Sequence, residues 1–266
     1  MKRQRISLVW WTYAIRRWCT GRAPESEARL IHREPDLAVA WLPGRTSRLV
    51  LVFISIRRAA LHPNKLEFRG IASDEGRNHV LFINDRERSW YSEPGKRDRI
   101  EAVVRRFMLE HGIQTVWSMG NSMGGYGAIL FADRLPISKV VAFVPQILMT
   151  DAVIDQPDWT ANRPNIRPTV ERDLTPIIAK ADCIFHVVTG DAYADDRIHF
   201  GHLRQRLADA RNVKIVIAPG QGHGVADWLK KQGQLARLVA ALWSEDRSAL
   251  EDCSKAIERP LDLTLY

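Results

Sequence analysis

Apolar runs of strand length recur along this chain, and most are followed by a stretch with helical spacing. Leu37–Leu42, Leu49–Ile56, His79–Asn84, Gln114–Met119, Lys139–Val144, Cys183–Thr189 and Val213–Ala218 are rich in Val, Ile, Leu, Phe and Ala. Runs of this length, bounded by Gly, Pro and polar clusters, predict strands. The run from Leu49 is nearly continuous rather than alternating, the pattern of a strand covered on both faces. Between the runs the period changes. Ile100, Val103, Val104, Phe107 and Met108 repeat at helical spacing, with Gly112 placed as a C-terminal stop. Leu203 and Leu207 mark a later helix, and Ala226–Trp243 a closing one. Strand and helix in alternation predict an α/β protein, a three-layer α/β/α sandwich around a mostly parallel central sheet.

The rhythm breaks between residues 145 and 176, where prolines stand at 145, 157, 164, 168 and 176 with Trp159 among them. Such an excursion is either a plain irregular connection or a short cap over a pocket mouth. The expected organisation is an N-terminal segment, 1–35, packed on the domain, a domain over 36–244, and a C-terminal tail, 245–266, that forms a short helix or frays.

Composition narrows the setting. With 266 residues, 45% of them apolar, the chain suits one large domain with a substantial core. Its three cysteines, Cys19, Cys183 and Cys253, are odd in number and scattered; they make neither a disulfide framework nor a metal-ligand cluster. That usage favours a reducing, cytoplasmic setting, with Cys183 as a buried thiol. The net charge of +8 comes from arginines spread along the chain. No basic cluster alternates with aromatics, so a solvated surface that steers anionic substrates is expected, and not a nucleic-acid face. Ile6–Ile15, flanked by Arg and Lys, is too short to span a bilayer and has no small-residue cleavage site. It is read as a first element packed on the domain; the competing reading lays it on an anionic membrane surface.

The chemistry centres on Gly120-Asn121-Ser122-Met123-Gly124. The bare G-x-S-x-G pattern recurs by chance in ordinary turns, but here an apolar strand precedes it and a small-residue helix, Gly125–Ala132, follows. Strand, tight glycine-flanked turn and helix form a nucleophile elbow, which lifts the serine hydroxyl above the sheet. A serine hydroxyl needs a base. His32, His62, His79 and His111 precede Ser122, His186 lies within a strand pattern, and His199 and His202 fall on a predicted helix. His223 follows the strand Val213–Ala218 in the glycine-rich loop Gly220-Gln221-Gly222-His223, where an imidazole can reach a neighbouring elbow. A carboxylate after the preceding strand should orient it. Asp196 ranks first there, Asp195 second and Asp191 third, each with a competing role as turn or helix cap. Backbone N–H groups of Met123 and of a residue past the strand at Leu49, Ile56 or Arg57, are the expected oxyanion donors. The scheme calls for no cofactor and no metal.

These motifs resemble the α/β-hydrolase superfamily, over residues 36 to 243. The residues that carry the likeness are Gly120–Gly125, the acid loop Gly190–Asp196 and Gly220–His223. The stretch Phe82-Ile83-Asn84-Asp85 with Trp90-Tyr91 is similar to a bacterial subgroup associated with surface-polysaccharide biosynthesis. The resemblance implies an α/β-hydrolase fold with a short irregular cap and a serine esterase acting on a small-molecule or glycan ester. Transfer of the acyl group to a sugar hydroxyl uses the same residues, and a silent binding module is the reading of a different class. Trp90 and Tyr91 either stack on a sugar acceptor or pack against a loop. The acid loop is longer than the common Gly-x-x-Asp form, which leaves the three aspartates in competition.

Overall fold

A computed structural model of the protein describes residues 27–56, 66–155 and 157–266. The segment Ile6–Ile15, Cys19, and the loop containing Arg57 and His62 lie outside the described residues.

Nine strands form one sheet in the order β1-β2-β4-β3-β5-β6-β7-β8-β9. They are β1 (Arg29–Arg33), β2 (Leu37–Leu42), β3 (Arg48–Phe53), β4 (His79–Asp85), β5 (Thr115–Asn121), β6 (Ile137–Phe143), β7 (Ile184–Gly190), β8 (Val213–Ala218) and β9 (Asp262–Leu265). From β4 to β8 neighbouring strands run parallel, while β1, β2 and β9 are antiparallel at the two edges. Each predicted run became a strand, although the one from Leu49 stops at Phe53; Ile54 keeps one bond to the Ile83 carbonyl of β4, and Ser55–Ile56 lie past the strand. The sheet also extends past the expected 36–244 bounds at both ends, through β1 and β9.

The near-continuous pattern of β3 has the expected cause. Leu49, Leu51 and Phe53 face one core, and Val50, Val52 and Ile54 the other. Burying each such side chain contributes roughly 1.5–3 kcal/mol, which anchors the strand that borders the elbow. One layer holds α1 (Arg69–Ser73), α7 (Val225–Lys231), α8 (Leu235–Ser244) and α9 (Arg247–Lys255). The other holds α2 (Lys96–Glu110), α3 (Met123–Leu130), α5 (Thr175–Lys180) and α6 (Ala194–Arg206). The expected single helix Ala226–Trp243 is two. Gly233 adopts φ +69°, and the N–H groups of Gly233 and Gln234 bond the carbonyls of Lys230 and Leu229. This is a glycine stop that ends α7 in mid-pattern. Among the described residues no helix is long and apolar enough to cross a membrane.

The proline-rich excursion joins β6 to β7 as the short helix α4 (Asp151–Ile154), two 3-10 turns at 157–159 and 163–165, and α5. It is latched to the loop after β4: Arg167 N–H donates to Ser92 Oγ at 2.8 Å, and the Thr169 hydroxyl donates to the Ser92 carbonyl.

His186 is an oddity of the core. It lies on β7 with 0% exposure, stacked on Tyr266, and neither ring nitrogen has a partner. Burial, aided by Lys214, pushes its pKa down to about 3 from 6.5. The unfolded chain therefore takes up a proton near pH 6.5 that the folded chain refuses until near pH 3. The stability contribution is present above pH 6.5 and is lost as pH falls through the window to 3, by at most about 1.4 kcal/mol per pH unit. His186→Leu should flatten melting temperature against pH between 6.5 and 4; parallel curves for variant and wild type would refute this.

Candidate active site

β5 runs straight into α3, and the one residue between them is Ser122, at φ 57° and ψ −120°. That conformation is rare for a residue with a side chain and costs on the order of 1–3 kcal/mol. Its surroundings impose it. The Ser122 N–H donates to the Phe143 carbonyl of β6 at 2.9 Å, and the Ser122 carbonyl accepts from Tyr126 N–H at 3.0 Å. The flanking glycines are required by space. A Cβ on Gly120 would lie 2.2 Å from the Gly124 carbonyl, and one on Gly124 2.1 Å from the Phe53 carbonyl oxygen.

His223 and Asp196 arrive from the neighbouring strand ends. His223 Nε2 lies 2.8 Å from Ser122 Oγ, and His223 Nδ1 lies 2.6 Å from Asp196 Oδ1. Asp196 is in the first turn of α6, not before it, and its side chain is buried. The other two carboxylates of that loop have different partners. Asp191 Oδ1 accepts from Gly220 N–H at 2.6 Å and so ties the acid loop to the histidine loop. Asp195 turns to the buried His199, whose Nε2 is 3.6 Å away. The two loops also touch through backbone: Ala192 N–H donates to the Gln221 carbonyl at 2.9 Å. The Tyr193 ring leans over His223 at 5.7 Å.

Met123 is the first residue of α3, so its N–H has no partner in the helix ladder. At the end of β3, Ile54 N–H bonds the Ile83 carbonyl at 3.0 Å. Ser55 gives both its N–H and its hydroxyl to Glu67, at 2.8 and 2.7 Å. The first N–H beyond these is that of Ile56.

Trp90 and Tyr91 are not offered to solvent. Their exposures are 1% and 0%, and the face of Trp90 is covered by Trp159 at 5.0 Å. A sugar-stacking role for either ring is therefore corrected in favour of packing. The reason lies in Asp85, which accepts from the N–H groups of Ser89 and Tyr91 at 2.8 and 3.0 Å and from the buried Lys96 Nζ at 2.6 Å. This folds the loop inward, with Arg88, Trp90 and Tyr91 at φ 55°, 53° and 58°. Sequence reasoning missed Gln146, whose Nε2 donates to Ser122 Oγ at 2.9 Å. A lone glutamine in a proline-rich stretch carries no motif; its position directly after the strand next to the elbow was the available signal.

Sheet order, elbow and the chain order serine, aspartate, histidine define the α/β-hydrolase fold. No protein-family model matches the sequence, and no curated relative is similar to it. Solved structures share the fold at low identity. The capsule O-acetyltransferase of Neisseria meningitidis serogroup A is 13% identical with a TM-score of 0.56, over 82% of this chain and 97% of that one. An esterase of Pyrococcus furiosus is 16% identical with a TM-score of 0.58, over 82% and 91%. A thermophilic esterase of Thermogutta terrifontis is 15% identical with a TM-score of 0.58, over 84% and 91%.

Proposed function

We propose that this protein is a serine hydrolase that cleaves a carboxylic ester through an acyl-enzyme on Ser122. The hydrogen-bonded run from Ser122 to His223 to Asp196, at 2.8 and 2.6 Å on a strained elbow, carries the reading. Ser122 Oγ attacks the ester carbonyl while its proton passes to His223 Nε2. Asp196 holds Nδ1–H and stabilises the imidazolium that forms. The negative charge on the former carbonyl oxygen is taken by the N–H groups of Met123 and Ile56. Collapse expels the alkoxide, which leaves as the alcohol with the proton from His223. Water, deprotonated by His223, then releases the acid.

The second reading replaces that water with a sugar hydroxyl, which makes the enzyme an acyltransferase acting on a glycan. The likeness to a capsule O-acetyltransferase is the observation that favours it. Cys183 and Cys253, both free and buried, support a cytoplasmic site of action; burial pushes the Cys183 thiol up to about 12, leaving it inert.

A fluorophosphonate probe tests both readings. Labelling of the wild type and none of Ser122→Ala is expected; an unlabelled, well-folded wild type would exclude them. Acylated enzyme given a glycan acceptor then separates the two, by whether acyl appears on sugar or in water.

A further inference from the structure

Ser122 Oγ has two nitrogen neighbours, and the second has no place in a serine–histidine–aspartate scheme. Gln146 is 4% exposed, and its Nε2 is as close to the nucleophile, at 2.9 Å, as His223 is at 2.8 Å. Its Oε1 accepts from the Trp90 indole Nε1 at 3.3 Å. Four hydrogen bonds therefore connect Trp90, Gln146, Ser122, His223 and Asp196.

The polarity of this chain is fixed at both ends. An indole N–H only donates, so the amide atom facing Trp90 must be the oxygen, and the NH2 must face Ser122. An ionised carboxylate only accepts, so His223 carries a proton on Nδ1, and in the neutral imidazole that serves as base Nε2 presents a lone pair. Between a donor on one side and an acceptor on the other, the serine has one arrangement left. It accepts from Gln146 and points its own proton at His223.

The backbone supports the chain at unusual expense. Val144, two residues before Gln146, has φ 39°, a genuine outlier for a β-branched residue. Trp90 and Ser122 have φ 53° and 57°. Three of the five members are thus delivered by strained turns, and strain of this kind clusters at sites of function.

We propose that Gln146 is a catalytic residue and Trp90 a positioning residue; this rests on Ser122 being the nucleophile. The Gln146 N–H aims the serine proton at His223 and donates to Oγ as charge grows there during attack. In the acyl-enzyme Oγ is an ester oxygen and a poor acceptor. When deacylation breaks the Oγ–acyl bond, the same N–H meets the departing serine oxygen as His223 returns its proton. Both half-reactions use it.

The experiment measures second-order fluorophosphonate labelling from pH 6 to 9 for wild type, Ser122→Ala, Gln146→Ala, Gln146→Glu and Trp90→Phe, with thermal melting as the check on folding. Gln146→Ala should label about tenfold more slowly, the worth of one hydrogen bond. Gln146→Glu should be slower still at pH 8, since an ionised carboxylate accepts the serine proton and draws it from His223. That gap should close as pH falls and the protonated acid donates again. Trp90→Phe should lose less than Gln146→Ala, because the amide stays but is free to flip. Wild-type rates for Gln146→Ala, or equal losses for Ala and Glu at every pH, overturn the inference alone. So does a Trp90→Phe loss exceeding that of Gln146→Ala. An unlabelled wild type, or labelled Ser122→Ala, overturns the hydrolase reading and this inference together.

Discussion

On the proposed mechanism, Asp196→Asn is expected to lower kcat for a simple ester such as p-nitrophenyl acetate about 10⁴-fold, the effect of the same change at the orienting aspartate of a known serine triad. The folded state should be little changed, since the side chains are of one shape. The cause is tautomeric. Asp196 Oδ1 fixes the proton on His223 Nδ1 at 2.6 Å, and an asparagine NH2 in that place donates instead. The imidazole then carries its proton on Nε2, facing Ser122, and cannot act as base. Asp195→Asn and Asp191→Asn should each change kcat less than about tenfold. Asp195 is turned to His199, and an asparagine oxygen at 191 still accepts the Gly220 N–H. A loss at Asp195 matching that at Asp196 would break the assignment.

The three aspartates also mark where sequence stops speaking. A strand, a glycine loop and an acidic loop narrow the acid to one turn. Choosing among residues 191, 195 and 196 depends on side-chain direction, and the first turn of α6 sends neighbours 195 and 196 to different partners. The central strands were legible because β3, β4 and β6 are apolar on both faces, which no helix of that length requires. β1 and β9 were not, since both are short, Arg29–Arg33 has three polar residues in five with no alternation, and Asp262–Leu265 has only two apolar residues. His223 was found by elimination because only one histidine follows a strand end in the right order. Trp90 and Gln146 could not be found that way. An aromatic residue reads alike whether it faces solvent or core, and the inward fold of Trp90 depends on Asp85 and Lys96, whose pairing is tertiary. Gln146 gains its meaning from the Val144 turn, a backbone state that a valine does not announce.

Gly124→Ala should destabilise the protein by about 3–5 kcal/mol, the upper range for single substitutions, with a large loss of activity besides. The added Cβ would lie 2.1 Å from the Phe53 oxygen and 2.9 Å from its carbonyl carbon. Neither atom can yield, because Phe53 ends β3 and pairs with both Ile83 of β4 and Gly120 of β5. α3 must therefore move away from the end of β3. That movement separates Met123 from Ile56, the two proposed oxyanion donors, so kcat should fall even at temperatures where the variant stays folded. Gly201→Ala is the matched control. It lies within α6 with nothing inside 4 Å of its added Cβ and no left-handed φ; there the same methyl group should stabilise by about 0.5–1 kcal/mol through helix propensity. Melting temperature and ester hydrolysis measured on both variants give opposite signs if close backbone approach sets the elbow. A Gly124→Ala protein that melts and hydrolyses like the wild type would show that α3 and β3 have room to spare.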